Sequence, residues 1–135
     1  MEVFCVPKEA LETVWDSVEK FFAKALDKHD PEYSLNDLKN YVLDQKWKLF
    51  AFVNDKNELN GAAIVAFLSY PKSYTAFVTC IGGRALVNKE YYEKFIEVLK
   101  EFGADRVQGY VTESIERMYK RLGISKRVSM VDIKI

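Results

Sequence analysis

At 135 residues the chain has room for one domain with a single core, and its 49% apolar content excludes a disordered chain. Twenty acidic and twenty basic residues cancel to a formal charge of +0, which argues against holding nucleic acid or an anionic membrane mainly by net charge. No apolar run approaches the ~20 residues of a membrane span, and Met1–Val6 lacks the basic-then-apolar pattern of a signal peptide, so a cytoplasmic protein is expected. Cys5 and Cys80 lie apart in apolar, strand-like surroundings without a CxxC, and read as reduced core residues.

Val3 to Val6 is a short apolar run closed by Pro7, which suits the first turn of a helix. Leu11, Val14, Trp15, Val18, Phe22, Ala25 and Leu26 recur at three- and four-residue steps and predict an amphipathic helix of about five turns. The polar stretch Asp27 to Tyr33, with Pro31, ends it. Ser34 with Asp37 forms a capping-box pattern, and Leu35, Leu38, Tyr41 and Val42 give a second, shorter helix.

Leu49 to Val53 and Ala62 to Ser69 are rich in strand formers, and Asn54–Asn57 between them predicts a hairpin with a loop longer than two residues. Pro71–Ser73 turns the chain again into Tyr74 to Ile81, a buried strand running into Gly82 and Gly83. Tyr91, Phe95, Val98, Leu99 and Phe102 then mark a third helix, with Asn88 as N-cap and Gly103 as C-cap. Arg106–Val111 reads as a strand, and the segment through Met118 and Leu122 as a helix ending at Gly123. Arg127 to Ile135, with Val128, Met130 or Val131, and Ile133 alternating, reads as a closing strand. The order β-α-α-β-β-β-α-β-α-β defines an α+β domain over residues 1–135, with a mixed, mainly antiparallel sheet flanked by helices.

That order, strongest from Phe77 to Ile124, resembles the GNAT acyltransferases. The resemblance implies an N-acetyltransferase that uses acetyl-CoA, with a small-molecule or protein amine as acceptor. In such proteins the loop before the third helix follows R/Q-x-x-G-x-G/A, whose glycines bring backbone N–H groups to the diphosphate at a helix N-terminus. Here the loop reads Gly83-Arg84-Ala85-Leu86-Val87-Asn88, and neither glycine position holds glycine. With the register moved so that Arg84 leads, Val87 and Lys89 occupy those positions. Gly82 and Gly83, slightly earlier, offer an alternative anion nest beside Arg84. The resemblance places the pantetheine arm along Phe77–Ile81, with Thr79, Ile81, Gly82, Gly83 and Arg84 as cofactor-binding residues.

Met118-Tyr119-Lys120-Arg121-Leu122-Gly123-Ile124 is similar to the family's Y-x-x-x-G-F helix ending, which implies that Tyr119 protonates the departing thiolate. Tyr74 to Ile81 supplies no carboxylate as a base, leaving Glu113 as the nearest candidate in sequence. His29, the one histidine, falls in a polar loop, and with two separated cysteines gives a transition-metal site no support. Cys80 lacks a neighbouring base that would make it a nucleophile. Arg117, Lys120, Arg121, Lys126 and Arg127 read as solvated charge diluted by Glu113 and Glu116. The loop from Thr79 onward also resembles GNAT-like internal virion proteins of tailed bacteriophages. That resemblance implies the alternative: a non-catalytic protein of the virion or its assembly that contacts protein partners.

Overall fold

The computed structural model describes residues 1–27, 32–84, 88–111, 113–124 and 130–135. Strand β1 (Glu2–Cys5) leads through a 3₁₀ turn (Lys8–Ala10) into helix α1 (Leu11–Leu26), followed by α2 (Leu35–Leu43). Pro7 precedes the 3₁₀ turn, where its carbonyl accepts from the Ala10 N–H at 3.0 Å; the proline therefore starts a lead-in turn rather than α1 itself. Strands β2 (Lys48–Val53), β3 (Leu59–Tyr70) and β4 (Ser73–Gly83) form the expected meander. Helix α3 (Lys89–Glu101) then crosses to β5 (Arg106–Gly109), and α4 (Glu113–Arg121) follows.

The sheet order is β1-β2-β3-β4-β5, with every neighbouring pair antiparallel except β4 and β5. A parallel pair cannot be joined by a tight turn, and α3 supplies the crossover. Leu11, Trp15, Val18 and Phe22 of α1, with Leu38 and Val42 of α2, cover one sheet face at Ala51, Ala62, Ile64 and Cys80. Tyr91, Phe95 and Leu99 of α3 cover the other at Phe50, Phe52, Val65 and Ala76. Because β2 is buried on both faces, it reads as a continuous apolar run rather than an alternation.

The caps form as the sequence expects. Ser34 accepts from the Asp37 N–H at 3.1 Å while Asp37 accepts from the Ser34 N–H at 2.9 Å, and Asn88 Oδ1 accepts from the Tyr91 N–H at 3.0 Å. Gly103 and Gly123 adopt φ of +96° and +83°, and both helices close in the same way. The Gly123 N–H donates to Lys120 O (3.1 Å) and the Ile124 N–H to Tyr119 O (2.9 Å); at α3 the pairs are Gly103 to Lys100 (2.9 Å) and Ala104 to Leu99 (3.1 Å). This Schellman pattern needs a left-handed residue after the last turn, which glycine adopts without a Cβ penalty.

Three boundaries differ from expectation: β5 ends at Gly109 rather than Val111, and two others lie at β3 and the C-terminal segment. β3 begins at Leu59 rather than Ala62, because Leu59 and Gly61 pair with Val53 and Phe52 despite their turn-like context. Of the expected closing strand, Met130–Ile135 joins no strand pair and is exposed, while Arg127–Ser129 lie outside the described residues. Met130, Val131, Ile133 and Ile135 all stay exposed, so the segment lacks the buried face that specifies strand register.

Candidate active site

The β4–β5 ladder runs only from Thr75↔Arg106 to Val78↔Gly109. Beyond Val78, β4 continues to Gly83 paired, among the described residues, with β3 alone, and the β4–β5 ladder ends at Val78 and Gly109. The edge that β4 presented to β5 is thereby left with backbone groups for a ligand. Phe77 and Tyr110 meet across this point edge to face, with ring centroids 5.3 Å apart. Tyr110 is 59% exposed, so it borders the opening rather than filling it.

A bulge organises the open half of β4. Ile64 pairs with Cys80 and Val65 with Val78, leaving Thr79 as the extra residue, and Thr79 Oγ1 donates to Ile64 O at 3.0 Å. The extra residue inverts the alternation. Ala76 and Val78 face α3, whereas Cys80 faces α1 and Ile81 faces α3. In an unbulged strand Ile81 would lie under α1; here Gly82 does. A Cβ on Gly82 would stand 2.5 Å from the Phe21 carbonyl oxygen of α1, so helix and strand meet backbone to backbone. Gly83 has φ +79°, and a Cβ there would stand 2.4 Å from Asn60 O.

Thr79, Ile81, Gly82, Gly83 and Arg84 therefore come together on one strand end, but with different duties. Thr79 uses its hydroxyl to pin the bulge, Gly82 accommodates α1, and Gly83 turns the chain. Arg84 is exposed directly after that turn. Residues 85–87, which carry the rest of the expected phosphate loop, lie outside the described residues. At the start of α3 the Tyr91 N–H is taken by Asn88, and Lys89–Glu93 (4.0 Å) and Glu90–Lys94 (3.6 Å) pair along the exposed first turns.

Tyr119 is half-buried on the last turn of α4, its register fixed by the glycine cap that follows. Burial raises its phenol above the ordinary tyrosine value, and the neighbouring Tyr92 hydroxyl of α3 adds to the shift. It thus stays protonated at neutral pH. Cys80 is the opposite of an activated thiol: burial pushes it up to about 11, only partly offset by a hydrogen bond with the Ile81 backbone. Cys5 is raised for the same reason, with Lys48 pulling it down, and both cysteines are free thiols. The side chain of Glu113, and His29 entirely, lie outside the described residues. Among the described residues no group of His, Cys, Asp and Glu is placed to hold a metal ion, and no helix is long and apolar enough to cross a membrane.

The bulge at Thr79 and the Phe77–Tyr110 pair escaped sequence reasoning. Both depend on strand register, and nothing local to Thr79 or Tyr110 signals them.

A parallel strand pair joined by a helix, its ladder ending where β4 runs on past β5, in an otherwise antiparallel sheet, defines an α+β protein. This is the GNAT fold. The ribosomal-protein-alanine N-acetyltransferase of Brucella melitensis biovar Abortus 2308 superposes with a TM-score of 0.69 at 12% identity, over 100% of both chains. A possible acetyltransferase from Clostridium difficile 630 gives 0.64 at 12% identity over 99% of this chain and 97% of that one. An acetyltransferase of Trypanosoma brucei gives 0.61 at 11% identity over 99% of each. No protein-family model matches the sequence, and no curated protein sequence does.

Proposed function

We propose that the chain is an acyl-CoA-dependent N-acetyltransferase. The observation that carries this reading is the end of the β4–β5 ladder at Val78, beyond which a strand edge unpaired among the described residues is long enough for a pantetheine arm along Thr79–Gly83. That edge fits the extended amide groups of such an arm. At the phosphate end the described residues offer Arg84 and no glycine-rich cradle, since Gly82 is packed against α1.

When bound, acetyl-CoA supplies an activated acetyl thioester. The chain's own residues then have two tasks. The β4 edge orients the arm through main-chain hydrogen bonds, and Tyr119 holds a proton on its phenol oxygen for a departing thiolate. The raised value at Tyr119 keeps that proton in place through neutral and mildly alkaline pH. An amine acceptor reaches the parting point past Phe77 and Tyr110.

Acetyl-CoA at 100 times its dissociation constant should add ~2.7 kcal/mol of stability, read as a rise in melting temperature. Tyr119→Phe should keep that rise and lower kcat by about 100-fold. Full kcat in the variant would remove Tyr119 from the chemistry. No thermal shift at millimolar acetyl-CoA, with no CoA release against an amine panel, would remove the transferase reading.

One observation favours a second reading, a non-catalytic GNAT-fold protein that engages a protein partner. Arg106–Gly109 of β5 is exposed throughout, with Val107, Tyr110 and Val111 adding apolar surface. Sheet edges of this kind accept strands from other chains.

A further inference from the structure

The far end of the β4–β5 ladder carries a second feature. An open groove of about 480 Å³ lies there, lined by Tyr70, Lys72, Ser73, Thr75, Arg106 and Gln108 among others. Thr75 pairs with Arg106 and Phe77 with Gln108, while the alternate residue Ala76 belongs to the core under α3. The groove therefore opens on the opposite sheet face, the face of the Phe77–Tyr110 pair. Its floor is the fully buried Thr75, whose hydroxyl meets that of Ser73 at 2.9 Å. Among the described residues two cations line it and no carboxylate does. Asp105, next to Arg106 in the chain, instead accepts from the Tyr74 N–H at 3.2 Å.

We infer that this groove holds a carboxylate or phosphate on the acceptor, so that the acceptor is an anionic amine. The inference rests on the transferase reading above. A guanidinium matches either oxyanion with paired donors, and Lys72, the Gln108 amide and the Ser73 hydroxyl extend the donor set. Arg106 stands three ladder positions before Gly109, where the strands part. At a strand rise of ~3.3 Å that is roughly 10 Å. An acceptor with its amine at the parting point and its acid in the groove spans about three extended peptide residues.

Triglycine has that span; triglycine amide keeps the amine and lacks the acid, and 6-aminohexyl phosphate exchanges carboxylate for phosphate. Binding is read first without CoA, as NMR shifts of the Lys72, Ser73, Arg106 and Gln108 amides in labelled protein. The groove should respond to triglycine or to the aminohexyl phosphate, the stronger of the two naming the oxyanion, and not to triglycine amide. Arg106→Gln, checked for an unchanged melting temperature, should weaken the response at least fivefold, and Arg106→Lys should restore part of it. Equal response to acid and amide, or shifts only elsewhere, overturns the site. With acetyl-CoA added, the preferred acid should exceed triglycine amide about tenfold in kcat/KM, and Arg106→Gln should erase that preference by raising KM. CoA release at equal kcat/KM for acid and amide overturns the groove's role and leaves the transferase reading standing. Acid-selective binding without CoA release from any of these amines overturns the transferase reading and the acceptor role with it.

Discussion

The two halves of β4 belong to one strand and have different partners. Ser73–Val78 is paired with β3, and Thr75–Val78 with β5 as well, and its alternation is regular: Ala76 and Val78 on the α3 face, Thr75 and Phe77 on the other. Thr79–Gly83 is paired on one side, carries the bulge, and presents two glycines. The first half spends its backbone on the sheet; the second keeps an edge in reserve. The difference shows how a fold can hold a ligand edge open without exposing core: the bulge turns Gly82 toward α1, and the helix closes on the strand from the face while the edge stays free.

The largest test of this contrast is Gly82→Ala. Its methyl would meet the Phe21 carbonyl, a backbone atom that moves only with α1, so a loss of about 3 kcal/mol in urea unfolding is expected. A loss below ~0.5 kcal/mol would show that α1 does not rest on this strand end.

Cys80, on the same half, gives a test by pH of nearly equal size. Burial pushes its thiol up to about 11 in the folded protein, from the ordinary value of 9.0 it has when unfolded. Between those values the unfolded chain has lost the proton that the folded chain keeps, so stability present below pH 9 falls as pH rises through 11, by ~2–3 kcal/mol. Cys80→Ala should remove that part of the alkaline slope. An unchanged slope would place the thiol in contact with solvent.

Thr79→Val is the smallest test and the most specific. The hydroxyl bond to Ile64 O is lost, at a cost of about 1 kcal/mol, and the bulge loses its side-chain pin. A stability unchanged within error would mean that the β3 register alone holds the bulge.

The strand β4 was legible in the sequence and the duties of the residues in its open half were not, for a physical reason. Local chemistry announces the caps at Ser34 and Asn88, the glycines that end α3 and α4, and the turns between β2, β3 and β4. These signals act within one helical turn or one hairpin. The duties of Gly82 and Thr79 are set by Phe21 and Ile64, which are distant in sequence, so glycine and threonine in a strand read only as a turn and a β-former. Arg106 and Gln108 likewise read as ordinary polar strand positions until the parallel ladder sets them beside Thr75 and Phe77. The place of Tyr119 on the last turn of α4 was visible because the helix ends on Gly123.

Amide hydrogen exchange along β4, resolved by residue with and without acetyl-CoA, tests the central claim most directly. The account predicts slow exchange through Ser73–Val78 in both states. Within Thr79–Gly83, the amides turned away from β3 should exchange rapidly in the free protein and slow at least tenfold when acetyl-CoA is added at millimolar concentration. Uniformly slow exchange through Gly83 in the free protein, or no change on adding acetyl-CoA, would contradict an open strand edge kept for an acyl-CoA arm.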